Sequence, residues 1–108
     1  MVPLTRQMLF IDVFARWGVP VVLCARTGLG TLNHTLLSLE ALQRRAIPIL
    51  GVALIGDAHP DNERTLAALG RVPILGRLPL LDPLTPQTLQ QAFSAAFTRE
   101  FFEAAAGL

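Results

Sequence analysis

The sequence predicts an α/β fold built on a parallel sheet, and three observations predict it. Apolar runs and amphipathic stretches alternate along the 108 residues, the pattern of strands joined by crossover helices. The clearest apolar runs, Val19 to Ala25 and Ile47 to Ile55, are continuous rather than alternating, as in strands buried on both faces. Hydrophobic residues make up 52% of the chain and charged residues 16%, a composition that packs a core and does not suit disorder.

Each element has its own signal. Thr5 can cap a helix running to about Trp17, with Leu9, Val13 and Phe14 on one side and Asp12 and Arg16 outside. Gly18 ends it, and Val19 to Ala25 forms the first strand. After a glycine turn, Thr31 or Asn33 opens a helix to about Arg45 that carries Leu36, Leu37, Leu39 and Leu42. Its basic end, Arg44 and Arg45, complements the helix dipole. Ile47 to Ile55 is the second strand and ends at Gly56-Asp57. A short helix follows from Asn62 to Leu69, capped by Asp61 or Asn62 and closed by Gly70. Val72 to Leu78 is the third strand, interrupted by Pro73 and Gly76. Beyond a loop at Leu81 to Pro86, Thr85 caps the final helix with Pro86 at its first position. Phe93, Phe97 and Phe101 recur every four residues and read as one helical face, in a core or an interface. Three parallel strands make a narrow sheet, and these helices cover about one and a half of its faces. The chain reads as the second half of an α/β domain.

Charge and cysteine content exclude several classes. The formal net charge is +1 and the nine basic residues, all arginine, are scattered, so nothing marks a nucleic-acid surface. One cysteine excludes an internal disulfide framework and a cysteine-based zinc site. No signal-peptide pattern or membrane-length apolar run occurs, so the expectation is a soluble cytoplasmic protein with no membrane contact.

The stretch from Val19 to Thr35 carries the chemistry. An apolar strand, the turn Gly28-Leu29-Gly30 and a polar helix start leave backbone N–H groups and the positive end of a helix dipole facing the turn. That is a site for a phosphate or a carboxylate, although a plain strand-to-helix turn has the same glycines. Arg26 either steers the anion or is a solvated loop residue. His34 reads as a capping or packed histidine, and Cys24 as a buried hydrophobe. Asp57, His59 and Asp61 read as solvent-exposed turn residues and not as metal ligands. Glu63 and Arg64 belong on an exposed helix face. A small dinucleotide-binding domain would use Gly28, Gly30 and Asp57, but Asn33 replaces the third glycine of that fingerprint.

Five segments together resemble dethiobiotin synthase. They are Val2-Pro-Leu-Thr5, Pro20 to Leu37 with its Gly-x-x-Asn-His pattern, Gly51-Val-Ala53, Pro60 to Thr65, and Leu75-Gly-Arg-Leu-Pro79. The resemblance runs in unbroken order from residue 2 to about residue 93. It implies a three-layer parallel sheet of the P-loop NTPase type, here its C-terminal half of about three strands. It also implies ureido ring closure on a diamino acid (7,8-diaminononanoate) with carbon dioxide, ATP and magnesium, through a carbamate that ATP phosphorylates before the ring closes. The active site would cross a homodimer interface. Carried over, the substrate carboxylate rests on Leu29, Gly30, Thr31 and Asn33, and the adenine loop is Leu78, Pro79, Leu80, Leu81 and Asp82. The departures are specific. The Walker A loop is absent, no lysine occurs, and the acidic magnesium ligands are missing, so no catalytic or metal residue is assigned. Ile55 stands where the family has an adenine-contacting asparagine. The chain is therefore expected to be inactive alone and to need an N-terminal half. The other function considered is a non-catalytic remnant that self-associates or pairs with a partner through an open strand edge and the phenylalanine stripe.

Overall fold

The computed structural model describes residues 1–107. Five helices and three strands follow one another as α1 (Phe10–Trp17), β1 (Val21–Arg26), α2 (Thr31–Arg44), β2 (Ile49–Ile55), α3 (Pro60–Gly70), β3 (Ile74–Leu78), α4 (Pro86–Ala96) and α5 (Arg99–Ala105). The three strands form one parallel sheet in the order β1-β2-β3.

Proline sets where each strand begins. Pro20, Pro48 and Pro73 stand immediately before β1, β2 and β3, because proline has no N–H to give to a ladder. Their carbonyls remain useful. Pro48 accepts from the Val21 N–H at 2.8 Å and Pro73 from the Val52 N–H at 2.9 Å. Each expected strand therefore starts two residues later than its apolar run.

Both faces of the sheet carry helices, which makes three layers. Val52 and Leu54 of β2 point to one face and pack with Leu39 of α2, Leu66 of α3 and Val72. Burying side chains of this size contributes about 1.5–3 kcal/mol each. Ala53 points to the other face, where it packs with Leu75 and Phe97. That second face is covered only in part. Val22 reaches the Phe97 cluster, whereas Cys24 is exposed. The reading of Cys24 as a buried hydrophobe is thus corrected: β1 is an edge strand, and α5 packs against β2 instead.

Four other expectations change for physical reasons. The first helix starts at Phe10 and not after Thr5. The Thr5 hydroxyl accepts from the Gln7 N–H and residues 4–8 close a turn on the Met8 carbonyl, leaving Asp12 to accept from the Leu9 N–H at 2.9 Å. In α3, Pro60 takes the first helical position and His59 precedes it, so neither Asp61 nor Asn62 is the cap. Gly70 does not stop α3. It is the last helical residue, where a Cβ would stand 2.7 Å from Leu39 Cδ1, and Arg71 in the left-handed region (φ 56°) is the residue that ends the helix. Finally, the phenylalanine stripe is split. Phe97 is extended and ends α4, and the Thr98 hydroxyl accepts from the Phe101 N–H to start α5. Phe97 is buried against Phe93 and Phe102, while Phe93 and Phe101 remain exposed.

Candidate anion site at the strand ends

The carboxyl ends of β1 and β2 open into a cleft of about 650 Å³. This is where ligands enter open parallel sheets. Leu23, Ala25, Ile55 and Leu80 give it apolar walls, and the turn after β1 and the first turns of α2 give it a polar side.

The start of α2 is fastened before it is offered to a ligand. Gly30 adopts φ +86°, a left-handed conformation that glycine takes without steric cost, and this turns the chain into the helix. The Thr31 hydroxyl donates to the Arg26 carbonyl and lies 3.3 Å from the Thr35 hydroxyl. Both threonines are nearly buried at the side of the cleft, where they anchor α2 to the end of β1. The Thr31 N–H donates to Gly28 at 3.2 Å, and the His34 N–H to Gly30 at 3.1 Å. The N–H groups of Leu32 and Asn33 have no acceptor among the described residues. They are the orphan donors that a helix N-terminus leaves, and with the helix dipole they favour a negative charge.

The residues expected to hold the carboxylate divide accordingly. Leu29 and Thr31 line the cleft. Gly30 lies beneath the ring of His34, whose Cε1 is 3.8 Å from where a Gly30 Cβ would be. Asn33 sits in the same first turn with its side chain exposed and outside the cleft lining. His34 is not the packed residue expected: it is exposed and faces the cleft. Of the expected adenine loop, Leu80 alone borders the cleft. Leu78 ends β3 and its carbonyl accepts from the Gly56 N–H at 2.9 Å. Pro79 and Asp82 are exposed and Leu81 is half-buried.

Sequence reasoning did not single out Thr27, Thr35, Ser38 or Gly56, all of which line the cleft. Gly56 is the most informative. Its φ is +130°, and a Cβ there would stand 2.3 Å from the Thr27 hydroxyl oxygen. The ends of β1 and β2 therefore approach closely only because position 56 has no side chain. A glycine directly after an apolar strand was the available signal. Asp57 and His59 also reach the cleft, but Asp61 is paired with Arg64 on the surface. Among the described residues no group of three or more His, Cys, Asp or Glu side chains comes together to hold a metal.

Ile55 and Leu80 make an apolar wall on one side of the cleft. No lysine exists in the chain to neutralise phosphoryl charge. No helix among the described residues is long and apolar enough to cross a membrane.

A family model described as an AAA domain matches residues 1–88. The chain is 64% identical over 102 residues to the ATP-dependent dethiobiotin synthetase of one strain of Rhodopseudomonas palustris, covering 94% of this chain and 49% of that protein. It is 61% identical over 101 residues to the synthetase of Brucella anthropi, with 94% and 48% covered. For the synthetase of Agrobacterium fabrum the figures are 59% over 97 residues, with 90% and 46% covered. The chain spans about half the length of the curated relatives it matches. On the matched family and on its own three-layer parallel sheet, the chain belongs to the AAA domain family, and its similar relatives are dethiobiotin synthetases.

Proposed function

We propose that this chain is the substrate-carboxylate half of a dethiobiotin synthetase, the ATP-dependent ligase of biotin biosynthesis that closes a ureido ring on a diamino acid. The observation that carries the reading is a cleft with apolar walls from the strand ends, bordered by Leu29 and Thr31 at the start of α2, the helix whose first-turn N–H groups at Leu32 and Asn33 have no acceptor among the described residues. An aliphatic chain ending in a carboxylate matches both parts. The carboxylate lies against the first turn of α2, with Leu29 and Gly30 beside it and Thr31 holding the helix in place. The aliphatic chain runs along Leu23, Ala25 and Ile55.

Leu78 to Asp82, with Leu80 nearest the cleft, form the wall toward the adenine of ATP. ATP when bound supplies the phosphoryl group that activates a carbamate for ring closure, and magnesium accompanies it. This chain holds no lysine, so its residues bind and orient the diamino acid and the phosphoryl chemistry falls to another half. Catalysis takes an N-terminal half with a Walker A loop and, by resemblance, a homodimer. A cytoplasmic location goes with this reading.

Two measurements test it. Isothermal titration with 7,8-diaminononanoate is expected to show binding that weakens when the carboxylate is converted to an amide. The purified 108-residue chain mixed with diamino acid, ATP, magnesium and bicarbonate is expected to make no dethiobiotin, and turnover would contradict the assignment of roles.

A second reading, assembly without catalysis, draws on one observation: the outer edge of β1 pairs with no strand among the described residues. Unpaired edges invite strand addition, and a clean monomer at high micromolar concentration would remove that reading.

A further inference from the structure

Gly56 is held by both of its backbone polar groups. Its N–H donates to the Leu78 carbonyl at 2.9 Å. Its own carbonyl lies beyond the last paired residues of β2 and β3, Ile55 and Leu78, where the ladder offers no partner. The half-buried side chain of Arg77 supplies one: Nη1 donates to the Gly56 oxygen at 2.7 Å. A hydrogen bond from a charged donor is stronger than a neutral one, and this bond spans 21 residues of sequence.

What Gly56 touches gives the bond its consequence. On its other side it abuts Thr27, closely enough that no Cβ fits, and Thr27 begins the turn that leads into α2. Asp57, the next residue, lines the cleft. The placement of Gly56 therefore sets the gap between the end of β2 and the turn that presents the free N–H groups. We propose that Arg77 is a positioning residue for this site: it clamps the Gly56–Asp57 turn and so fixes the wall opposite the first turn of α2. Arg77 does not line the cleft and acts only through the turn. The inference rests on the carboxylate reading above for its ligand, and on the geometry alone for the clamp.

The test uses the full chain, with Arg77→Met removing the donor while keeping an apolar stem, and Arg77→Lys restoring a charged donor. Amide hydrogen exchange is read without ligand at Gly56 and Thr27, the amides of this junction bonded to the Leu78 and Ile55 carbonyls, and affinity is read with 7,8-diaminononanoate. Arg77→Met is expected to speed exchange at the turn and to weaken binding, each about tenfold, the size of one lost hydrogen bond from a charged donor. Arg77→Lys is expected to stay within roughly twofold of the parent. Exchange that is unchanged at the turn overturns the proposal. So does exchange that rises equally through all three strands, or a Met variant that fails to fold together with a Lys variant whose turn is as loose as its strands. If the parent chain shows no binding, the carboxylate reading fails, while the exchange measurement still decides the clamp.

Discussion

Replacing Gly56 by alanine is expected to strain the site from two independent sources. The first is backbone. A φ of +130° lies where an L side chain is rarely found, which costs about 1–3 kcal/mol. The second is volume. The added Cβ would stand 2.3 Å from the Thr27 hydroxyl oxygen and 3.5 Å from the Thr27 Cβ. Thr27 is only 6% exposed and β-branched, so its side chain has little freedom to turn away, and overpacking of this kind costs about 1–3 kcal/mol. Together they remove about 2–6 kcal/mol from a domain whose whole stability is about 5–15 kcal/mol. A shift of about 4–8 °C per kcal/mol places the loss in melting temperature at about 10 °C or more.

The two sources can be separated. The Thr27 hydroxyl has no hydrogen-bond partner among the described residues, so Thr27→Ala alone is expected to cost little. Combined with Gly56→Ala, it removes the 2.3 Å contact and leaves an ordinary one. The double variant is expected to regain about half of the loss, the overpacking part and not the backbone part. Urea unfolding of the four proteins of this cycle measures it. A Gly56→Ala protein as stable as the parent, or a double variant no better than the single, would refute the close approach of β1 and β2.

Further outcomes follow from other contacts. Gly76→Ala puts a Cβ 2.4 Å from the Ala96 carbonyl oxygen, which cannot move without displacing the α4–α5 junction, and is expected to cost about 1–3 kcal/mol in urea unfolding. Leu66→Ala empties a side chain that is 1% exposed between α2 and the sheet and is expected to cost about 2–5 kcal/mol. Thr85→Ala removes the hydroxyl that accepts from the Thr88 N–H at 3.1 Å, for a loss of about 1 kcal/mol. Thr31→Val deletes the bond from α2 to the Arg26 carbonyl and is expected to weaken 7,8-diaminononanoate binding about fivefold, by calorimetry.

Much of the fold was legible because its signals are local. Continuous apolar runs marked the strands, and Thr85-Pro86 marked α4, since a capping hydroxyl followed by proline leaves the chain few other choices. The geometry at the start of α2 was legible for the same reason: glycines between a strand and a helix start leave N–H groups free whatever surrounds them. What was missed depends on contacts distant in sequence. Gly70 looks like a helix terminator until Leu39 is placed against it. Phe93, Phe97 and Phe101 have helical spacing, but Thr98 competes by capping a new helix between them. Cys24 belongs to an apolar run, yet β1 lies at the sheet edge, and strand order is not written in any single strand. The tie between Arg77 and Gly56 depends on which strands are neighbours.

The central claim is that the first turn of α2 holds a carboxylate, and ¹⁵N chemical-shift titration of the full chain tests it directly. Adding 7,8-diaminononanoate is expected to move the amides of Leu29 to Asn33 in a saturable way, while the corresponding diamine without the carboxylate leaves them in place. Equal movement with both compounds, or saturable shifts confined to residues away from that turn, would contradict the account.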